Sequence, residues 1–354
     1  LKVLVVNHRD IFHPYAGGSE VVIYEVSKRL MENGIEIHWL SENTRLEGRN
    51  EIDGIKLIHK GNKVTLHFHS LKYAKNYDVV MDSVAHAVPF FSYLVNKRTV
   101  ALVHHVHQYV VDYELSKPLA YVVKKLERYL KKYKRIIAVS HSTKLDLIKL
   151  LKIDEHKIEV IHNGVDHDKF RPGEKSPEPM ILWIGRLKRY KNPLHAIKIF
   201  KMLKTKAKLI IVGKGEKDIE NQIIQASSSS DNIIYLGRIP EDQKIKLYQS
   251  AWVVLSTSFI EGWGMTITEA NASGTPAVAY SVGSLPEIIQ HGKNGFLVDY
   301  EDYTKAAEYI DYILSDENIM KKMSLDSYHA SLKYDWNIAA NKYYDYLKRI
   351  TEND

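Results

Sequence analysis

Short β-rich runs alternate with amphipathic helical stretches along almost the whole chain. In the first half, apolar runs occupy residues 2–7, 35–40, 55–60, 78–82, 99–104, 135–140 and 157–161. They are nearly continuous instead of alternating, which predicts strands buried on both faces, as in a parallel sheet covered by helices. Helical periodicity fills most of the gaps. The stretch SEVVIYEVSKRLMENG (19–34) ends on Gly34, a residue suited to a left-handed C-terminal cap. Residues 117–136 place Leu119, Val122, Val123, Leu126, Leu130 and Tyr133 at helical spacing, so this face is expected on the sheet.

The alternation pauses at RPGEKSPEP (171–179). Three prolines and four charges in nine residues read as a linker. Apolar runs then restart at 180–185, 208–213, 232–237, 252–258, 276–281 and 295–298, and the pattern is helical beyond Asp302. The predicted fold class is α/β, with two Rossmann-like parallel-sheet domains, 1–171 and 172–335, facing across a cleft. A chain of 354 residues agrees with two domains at roughly 150 residues each. Open α/β sheets bind ligands beyond the carboxyl ends of their strands, so chemistry is expected in the loops that follow strands.

Composition narrows the class. Hydrophobic residues make up 45% and charged residues 26%, values of a folded domain. No apolar run reaches the ~18 residues of a membrane span. The opening LKVLVVN is too short, and too soon followed by charge, for a signal peptide. The absence of cysteine excludes disulfides, thiolate metal sites and a cysteine nucleophile, and fits a reducing cytoplasmic location. A net charge of +7 suits an anionic partner such as a nucleotide, a nucleic acid or an acidic membrane surface, although solubility alone accounts for it equally.

Several loops after strands carry candidate chemistry. Gly17 and Gly18 open the first helix and let backbone amides approach a ligand, with Ser19 as a candidate cap. His104, His105 and His107 end another strand, but no carboxylate stands in metal-binding register with them, so satisfied structural histidines are the usual outcome, with one histidine facing a cleft as a polar contact or proton-handling group the alternative. Arg186 and Lys191 straddle a turn before Asn192 and Pro193, where a guanidinium fork and an ammonium converge naturally on a diphosphate. Gly213, in VGKGE, forms a weak glycine turn. Arg238 and Ile239 follow a further strand, where backbone could receive a flat base. The Asp166–Asp168 pair resembles a manganese-binding D-x-D, but three-residue matches are common, and no metal is expected there.

The stretch EGWGMTITEA (261–270) is the most informative. A loop carries Glu261, Gly262, Trp263 and Gly264, with Trp263 reading as an exposed aromatic. A helix begins near Met265 and Thr266 and carries Glu269 one turn in. Free amides at that start form an anion site. Helix-dipole stabilisation of Glu269, about 0.3–1 kcal/mol, is the structural alternative. The spacing also lets one ligand place a phosphate on the amides, a ribose diol on Glu269 and sugar hydroxyls on Glu261.

This stretch resembles the E-x7-E motif of glycosyltransferase family four, the retaining transferases of the two-domain GT-B fold. AGGSE, VIHNGVDHDKF, IGRLKRYKN, IVGKGE, YLGRIPEDQKIKLYQSA and SVGSLPEII support the resemblance and run in family order across nearly the whole chain. The resemblance implies a retaining hexosyltransferase that uses a UDP- or GDP-linked nucleotide-diphosphate sugar without cofactor or metal. Its acceptor would be a glycan or a lipid-linked sugar, bound on the first domain. It implies that Arg186 and Lys191 bind the donor diphosphate, Glu269 the ribose, and Glu261 and the amides after Gly262 the donor sugar and its phosphate. Gly17 and Gly18 would approach the diphosphate, and His107 best matches the family's active-site histidine. Helix 336–354 would cross back onto the first domain. Sucrose- or glycogen-synthase-like enzymes and nucleotide-sugar hydrolases share the pattern.

Lys124, Lys125, Arg128, Lys131 and Lys132 give the 117–136 helix a basic face suited to peripheral docking on an anionic membrane. An ordinary amphipathic helix has the same pattern. Two other classes fare worse. A nicotinamide-dependent oxidoreductase wants G-x-G-x-x-G in the first loop, which is missing. A nucleic-acid-binding protein wants basic and aromatic residues on one platform, whereas here the basic residues are spread.

Overall fold

The computed structural model describes residues 1–43 and 49–352. Two compact units divide the chain. The first is Leu1–Gly164 with Trp336–Asp354, and the second is Val165–Asp335. Residues 353 and 354 of the expected closing helix lie outside the described residues.

The first unit runs β1 (Lys2–Val6), α1 (Gly18–Glu32), β2 (Glu36–Ser41), β3 (Glu51–Ile52), β4 (Ile55–His59), α2 (Leu66–Ala74) and β5 (Val79–Val84). It continues with β6 (Thr99–Val103), α3 (Val111–Glu114), α4 (Lys117–Glu127), β7 (Arg135–Ala138), α5 (His141–Leu151) and β8 (Ile158–Val160). The sheet order is β3-β4-β2-β1-β5-β6-β7-β8. Its pairs are parallel except β3 with β4, a two-residue hairpin turning through Asp53 and Gly54, both at positive φ. The apolar run of β1 is fully buried from Val3 to Val6, as two-sided coverage requires. Gly34, at φ +78, ends α1.

The second unit runs β9 (Met180–Ile184), α6 (Pro193–Phe200), β10 (Lys208–Val212), α7 (Lys217–Ser228), β11 (Ile233–Gly237) and α8 (Glu241–Ser250). It continues with β12 (Val253–Ser256), α9 (Met265–Ala272), β13 (Ala277–Tyr280), α10 (Leu285–Ile288), β14 (Gly295–Val298), α11 (Tyr303–Ser315) and α12 (Glu317–Ser331). All pairs in the order β11-β10-β9-β12-β13-β14 are parallel. A last helix, α13 (Trp336–Glu352), returns to the first unit and packs on α1. It buries Trp336, Ala340, Tyr343 and Leu347. Arg29 Nε donates to Asn337 Oδ1 at 2.8 Å, and Arg349 Nη2 reaches both oxygens of Glu159 at 2.8 Å. Among the described residues no helix is long and apolar enough to cross a membrane.

Two expectations change. The stretch 171–179 is not a free linker but part of the second unit. Ser176 N–H donates to Ser250 O at 2.9 Å, and Trp252 Nε1 donates to Ser176 O at 2.9 Å. Lys175 turns inward and donates to Ala251 O at 2.9 Å and Thr275 Oγ1 at 2.6 Å. Prolines forbid regular structure but leave carbonyls free to accept, so an extended segment packs as well as a strand.

The helix expected over 117–136 also stops early. α4 gives way to a 3₁₀ turn over Arg128–Lys132, and Leu119 and Val122 are each 50% exposed. The cause is Glu127, which is fully buried and holds the inward position. Its carboxylate accepts from His107 N–H at 2.6 Å and Gln108 Nε2 at 2.6 Å.

Burial pulls the Lys175 ammonium down to about 7. The unfolded chain, whose lysines titrate near ~10.4, binds more protons between those values. This group therefore makes stability rise with pH across that window. Urea unfolding at about pH 7.5 and about pH 9.5 should show the parent gaining on K175M. Equal changes in both proteins would rule the effect out.

Candidate functional site

β9 and β12 are parallel neighbours, with Val253 opposite Ile181 and Val254 opposite Leu182. Their following loops therefore leave the same edge of the sheet side by side. The Thr257 hydroxyl lies 2.9 and 2.8 Å from the carbonyls of Lys191 and Asn192, and Trp183 Nε1 donates to it at 2.9 Å. Phe259 N–H donates to Tyr190 O at 2.7 Å. Asn192, left-handed at φ 46, turns the chain into α6, which Pro193 opens.

This clasp brings Lys191 and Glu261 together. Lys191 Nζ pairs with Glu261 Oε1, which also accepts from Ser258 Oγ at 2.7 Å. The two side chains are only 19% and 15% exposed. Glu261 Oε2 takes no partner among the described residues. Arg186 is exposed and makes no ion pair among them.

Glycines set the backbone of these loops. Gly213 has φ +141, and a Cβ there would lie 1.8 Å from Gly185 O. A Cβ on Gly215 would lie 2.2 Å from Leu187 O. The VGKGE turn thus lets β10's loop press against the loop that carries Arg186, with Leu187 N–H donating to Lys214 O at 3.0 Å. Gly283 does the same for Glu261: its Cβ would meet Glu261 O at 2.1 Å, and Ser284 N–H donates to that oxygen at 3.1 Å. Gly264, at φ +79, starts α9 where a Cβ would strike Leu285 at 2.6 Å. The amides of Gly264, Met265 and Thr266 donate to no protein acceptor among the described residues, which leaves the helix start open to an anion. Gly262 lies in the loop just before it. Arg238, exposed, and Ile239, half-buried, follow β11 on the same edge as Gly213.

Trp263 is not exposed. It is 4% accessible and packs edge-on against Tyr334 at 4.9 Å, so only its backbone faces the loop. Gly264, left-handed at φ +79, turns the chain directly after the buried indole.

Glu269 is 13% exposed and faces α8. Lys244 Nζ lies 3.3 Å from its Oε2, and the Tyr248 hydroxyl is within hydrogen-bonding reach. Burial raises the Glu269 carboxyl above the usual range, with Lys244 pulling against it. Lys244 itself is held high: burial opposes its charge, but Glu269 and Glu241 outweigh that. Lys244, Tyr248, Thr257 and Gly283 were not singled out from sequence. The only available signal was the i, i+4 spacing of Lys244 and Tyr248.

In the first unit, Gly17 rather than Ser19 caps α1. Its N–H donates to Glu20 Oε2 at 2.6 Å, and Ser19 Oγ donates to Glu20 Oε1 at 3.0 Å. Buried Glu20 also accepts from Asn7 Nδ2 at 2.7 Å. Part of this helix start is therefore already neutralised, and Gly18 stands exposed beside it.

His104 is buried with Nε2 2.9 Å from Ser83 Oγ, and burial, with His107 nearby, pushes its pKa down to about 3. His107 is buried with Nδ1 3.1 Å from Glu127 and Nε2 3.2 Å from Ala85 O. His105 is half-buried, its ring 3.9 Å from that of His107. Asp166 Oδ1 accepts from Asp168 N–H at 3.0 Å and Lys169 N–H at 3.2 Å, so the D-x-D stretch forms a local turn. Of the basic row, Lys125, Arg128, Lys131 and Lys132 are exposed, whereas Lys124 pairs with Asp112.

Against known proteins, residues 16–169 match the family Glycosyltransferase Family 4, and residues 165–329 match Glycosyl transferases group 1. An uncharacterized glycosyltransferase of Methanocaldococcus jannaschii is 33% identical over 60% of each chain. The matched part thus spans 60% of that relative's own length. Sucrose-phosphate synthase from Thermosynechococcus elongatus superposes with TM-score 0.84 at 18% identity, over 100% of each chain. HepE of Anabaena, solved in complex with UDP and glucose, gives 0.78 at 19% identity, over 98% of this chain and 99% of its own. These structures share the fold of two parallel-sheet domains.

Gly213→Ala combines overpacking, about 1–3 kcal/mol, with backbone strain, about 1–3 kcal/mol. Gly292→Ala, at φ +82 with nothing within 4 Å, carries strain alone. Urea unfolding should show the larger loss for Gly213→Ala; equal losses would discard the close approach as its cause.

Proposed function

Because the chain belongs to glycosyltransferase family four, we propose that it is a retaining hexosyltransferase. It moves a hexose from a UDP- or GDP-linked sugar to a glycan or lipid-linked acceptor, without a metal. The carrying observation is the convergence, on one sheet edge, of the Lys191–Glu261 pair and Glu269 around the open start of α9. HepE, which shares the fold, was solved with UDP and glucose, which supports a UDP-linked donor.

The roles follow from donor and acceptor chemistry. The amides of Gly264, Met265 and Thr266 take phosphate oxygens, with Gly262 and the Trp263 backbone lining the approach. Arg186 neutralises the diphosphate. Lys191 has three donors and keeps Glu261 while reaching a phosphate. Glu261 Oε2 accepts from donor-sugar hydroxyls, and Glu269 accepts from the ribose diol. Gly213, Arg238 and Ile239 border the base. The bond between the anomeric carbon and the diphosphate oxygen breaks as an acceptor hydroxyl attacks the same face. The hydroxyl proton passes to the departing phosphate oxygen. Charge developing on that oxygen meets preorganised cations and amides, which lowers the barrier.

The enzyme would work in the cytoplasm, docked peripherally on an anionic membrane through α4 and the turn after it. Lys125, Arg128, Lys131 and Lys132 stand beside exposed Leu119, Tyr121, Val122 and Tyr129, a mixture suited to lipid head groups. Lys124, spent on Asp112, drops out of that set.

A thermal-shift panel of UDP, GDP, ADP, their sugar conjugates and NADH, with and without EDTA, tests the donor site. One nucleoside diphosphate should stabilise the protein regardless of EDTA; a response to NADH alone, or one that needs a metal, would sink the reading. Arg186→Ala should cut kcat about 100-fold, the usual scale for one lost transition-state contact, and a parental rate would remove Arg186 from the site. Replacing Lys125, Arg128 and Lys131 with Gln should abolish flotation with anionic vesicles while sparing nucleotide binding. A parent that does not float would end the docking idea.

A further inference from the structure

α8 presents Lys244 and Tyr248 one turn apart on one face, and both reach Glu269 on α9. The lysine is enclosed. Its Nζ sits 5.1 Å over the Phe170 ring, which meets Tyr248 edge-on at 6.0 Å, and its side chain is 22% exposed. Two carboxylates share the ammonium: Glu241 Oε2 at 3.0 Å on the exposed rim and Glu269 Oε2 at 3.3 Å inside. The rim pair is open to water and so more screened than the inner contact. The inner contact decides the state of Glu269.

We propose that Lys244 is a positioning residue of the nucleotide site, holding Glu269 ionised and fixing one of its oxygens so that the rest of the carboxylate accepts from the vicinal hydroxyls of a ribose. This rests on the reading of Glu269 given above. A carboxylate offers about four acceptor positions. Lys244 and Tyr248 occupy two on the α8 side and leave two for a diol. Thr266, within hydrogen-bonding reach of Tyr248, braces the phenol from α9's own first turn.

Loss of the lysine has a definite sign. Burial raises the Glu269 carboxyl, and the negative charge of Glu241 raises it further. Lys244 is the cation that opposes both. The groups acting most strongly on Glu269 are Lys244, Glu241 and Tyr248, all from α8; none from α10, α12, β12 or β13, which pack on α9's other sides, ranks with them. Without Lys244, Glu269 takes up a proton at higher pH. A neutral acid accepts more weakly than a carboxylate, since charge-assisted hydrogen bonds are roughly twice as strong. Diol binding should then fail as pH falls, earlier in the variant than in the parent.

The test is calorimetric titration of the parent, K244M, K244R and E241Q with UDP, GDP and their 2′,3′-dideoxy counterparts, at about pH 6 and about pH 8. The parent should prefer one ribonucleotide over its dideoxy form by at least about 10-fold at both pH values, the scale of a hydrogen bond to a charged group. In K244M that preference should be lower than the parent's and fall further as pH is lowered from about 8 to about 6, while dideoxy affinity stays parental. K244R should keep the preference. E241Q, which removes the competing charge, should hold or increase it at about pH 6, a result that does not depend on K244M folding. A K244M that keeps the parental preference at both pH values overturns the proposal. So does one that loses ribo and dideoxy binding equally, because the role is then structural. A parent with no preference instead refutes the ribose role of Glu269.

Discussion

The second unit's site depends on the parallel pairing of β12 with β9. Strands that are distant in sequence become neighbours, and their loops emerge at one edge. Everything beyond is a consequence of that adjacency. Thr257 can then reach the carbonyls of Lys191 and Asn192, Phe259 can reach Tyr190, and Glu261 can meet Lys191. The next strand out, β10, adds glycines whose missing side chains let its loop lean on the one that carries Arg186. The site is a stack of backbone contacts that carries few side chains, and those few are aimed by it.

The electrostatics follow the same plan. Two glutamates flank a helix start that attracts anions, an arrangement that would repel a phosphate if both were bare. Each has its own lysine. Glu261 is answered by Lys191 from the loop after β9, and Glu269 by Lys244 from α8. With each carboxylate paired to a lysine, the open amides of α9 and the exposed Arg186 remain for an anion. In the proposed reading, the spare acceptor capacity of the glutamates takes neutral hydroxyls. Glu20 at the start of α1 shows the contrast: it turns back onto the capping Gly17 N–H and partly neutralises the helix start from within.

Much of this was legible in sequence because buried parallel strands leave near-continuous apolar runs. The thirteen runs from 2–7 to 295–298 all became strands. β3 was not seen, since two residues form no run, although the Asp53-Gly54 turn beside it was a usable signal. Periodicity misplaced Leu119 and Val122 because it counts apolar residues and has no term for Glu127, a charge drawn inward by backbone donors. Composition misjudged 171–179 because proline excludes helix and strand, not packing. Trp263 looked exposed between two glycines, yet it packs inward against Tyr334. Glu261 and Glu269 of the proposed donor site could be named from spacing. Lys191 could be named as well, though not its pairing with Glu261; Lys244 could not, because it meets Glu269 only when α8 and α9 are packed together.

The return of α13 to the first unit makes the second unit an insertion between α5–β8 and the helix that covers α1. The chain crosses between units twice, near Gly164 and near Trp336, and Val165 and Asp335 lie side by side at the second unit's own entry and exit. Order of synthesis then matters. On the ribosome, the face of α1 that α13 covers must wait for the whole second unit to emerge. The first unit is therefore the earlier one begun and the later one finished, and a nascent chain stalled anywhere in the second unit presents that uncovered face to chaperones.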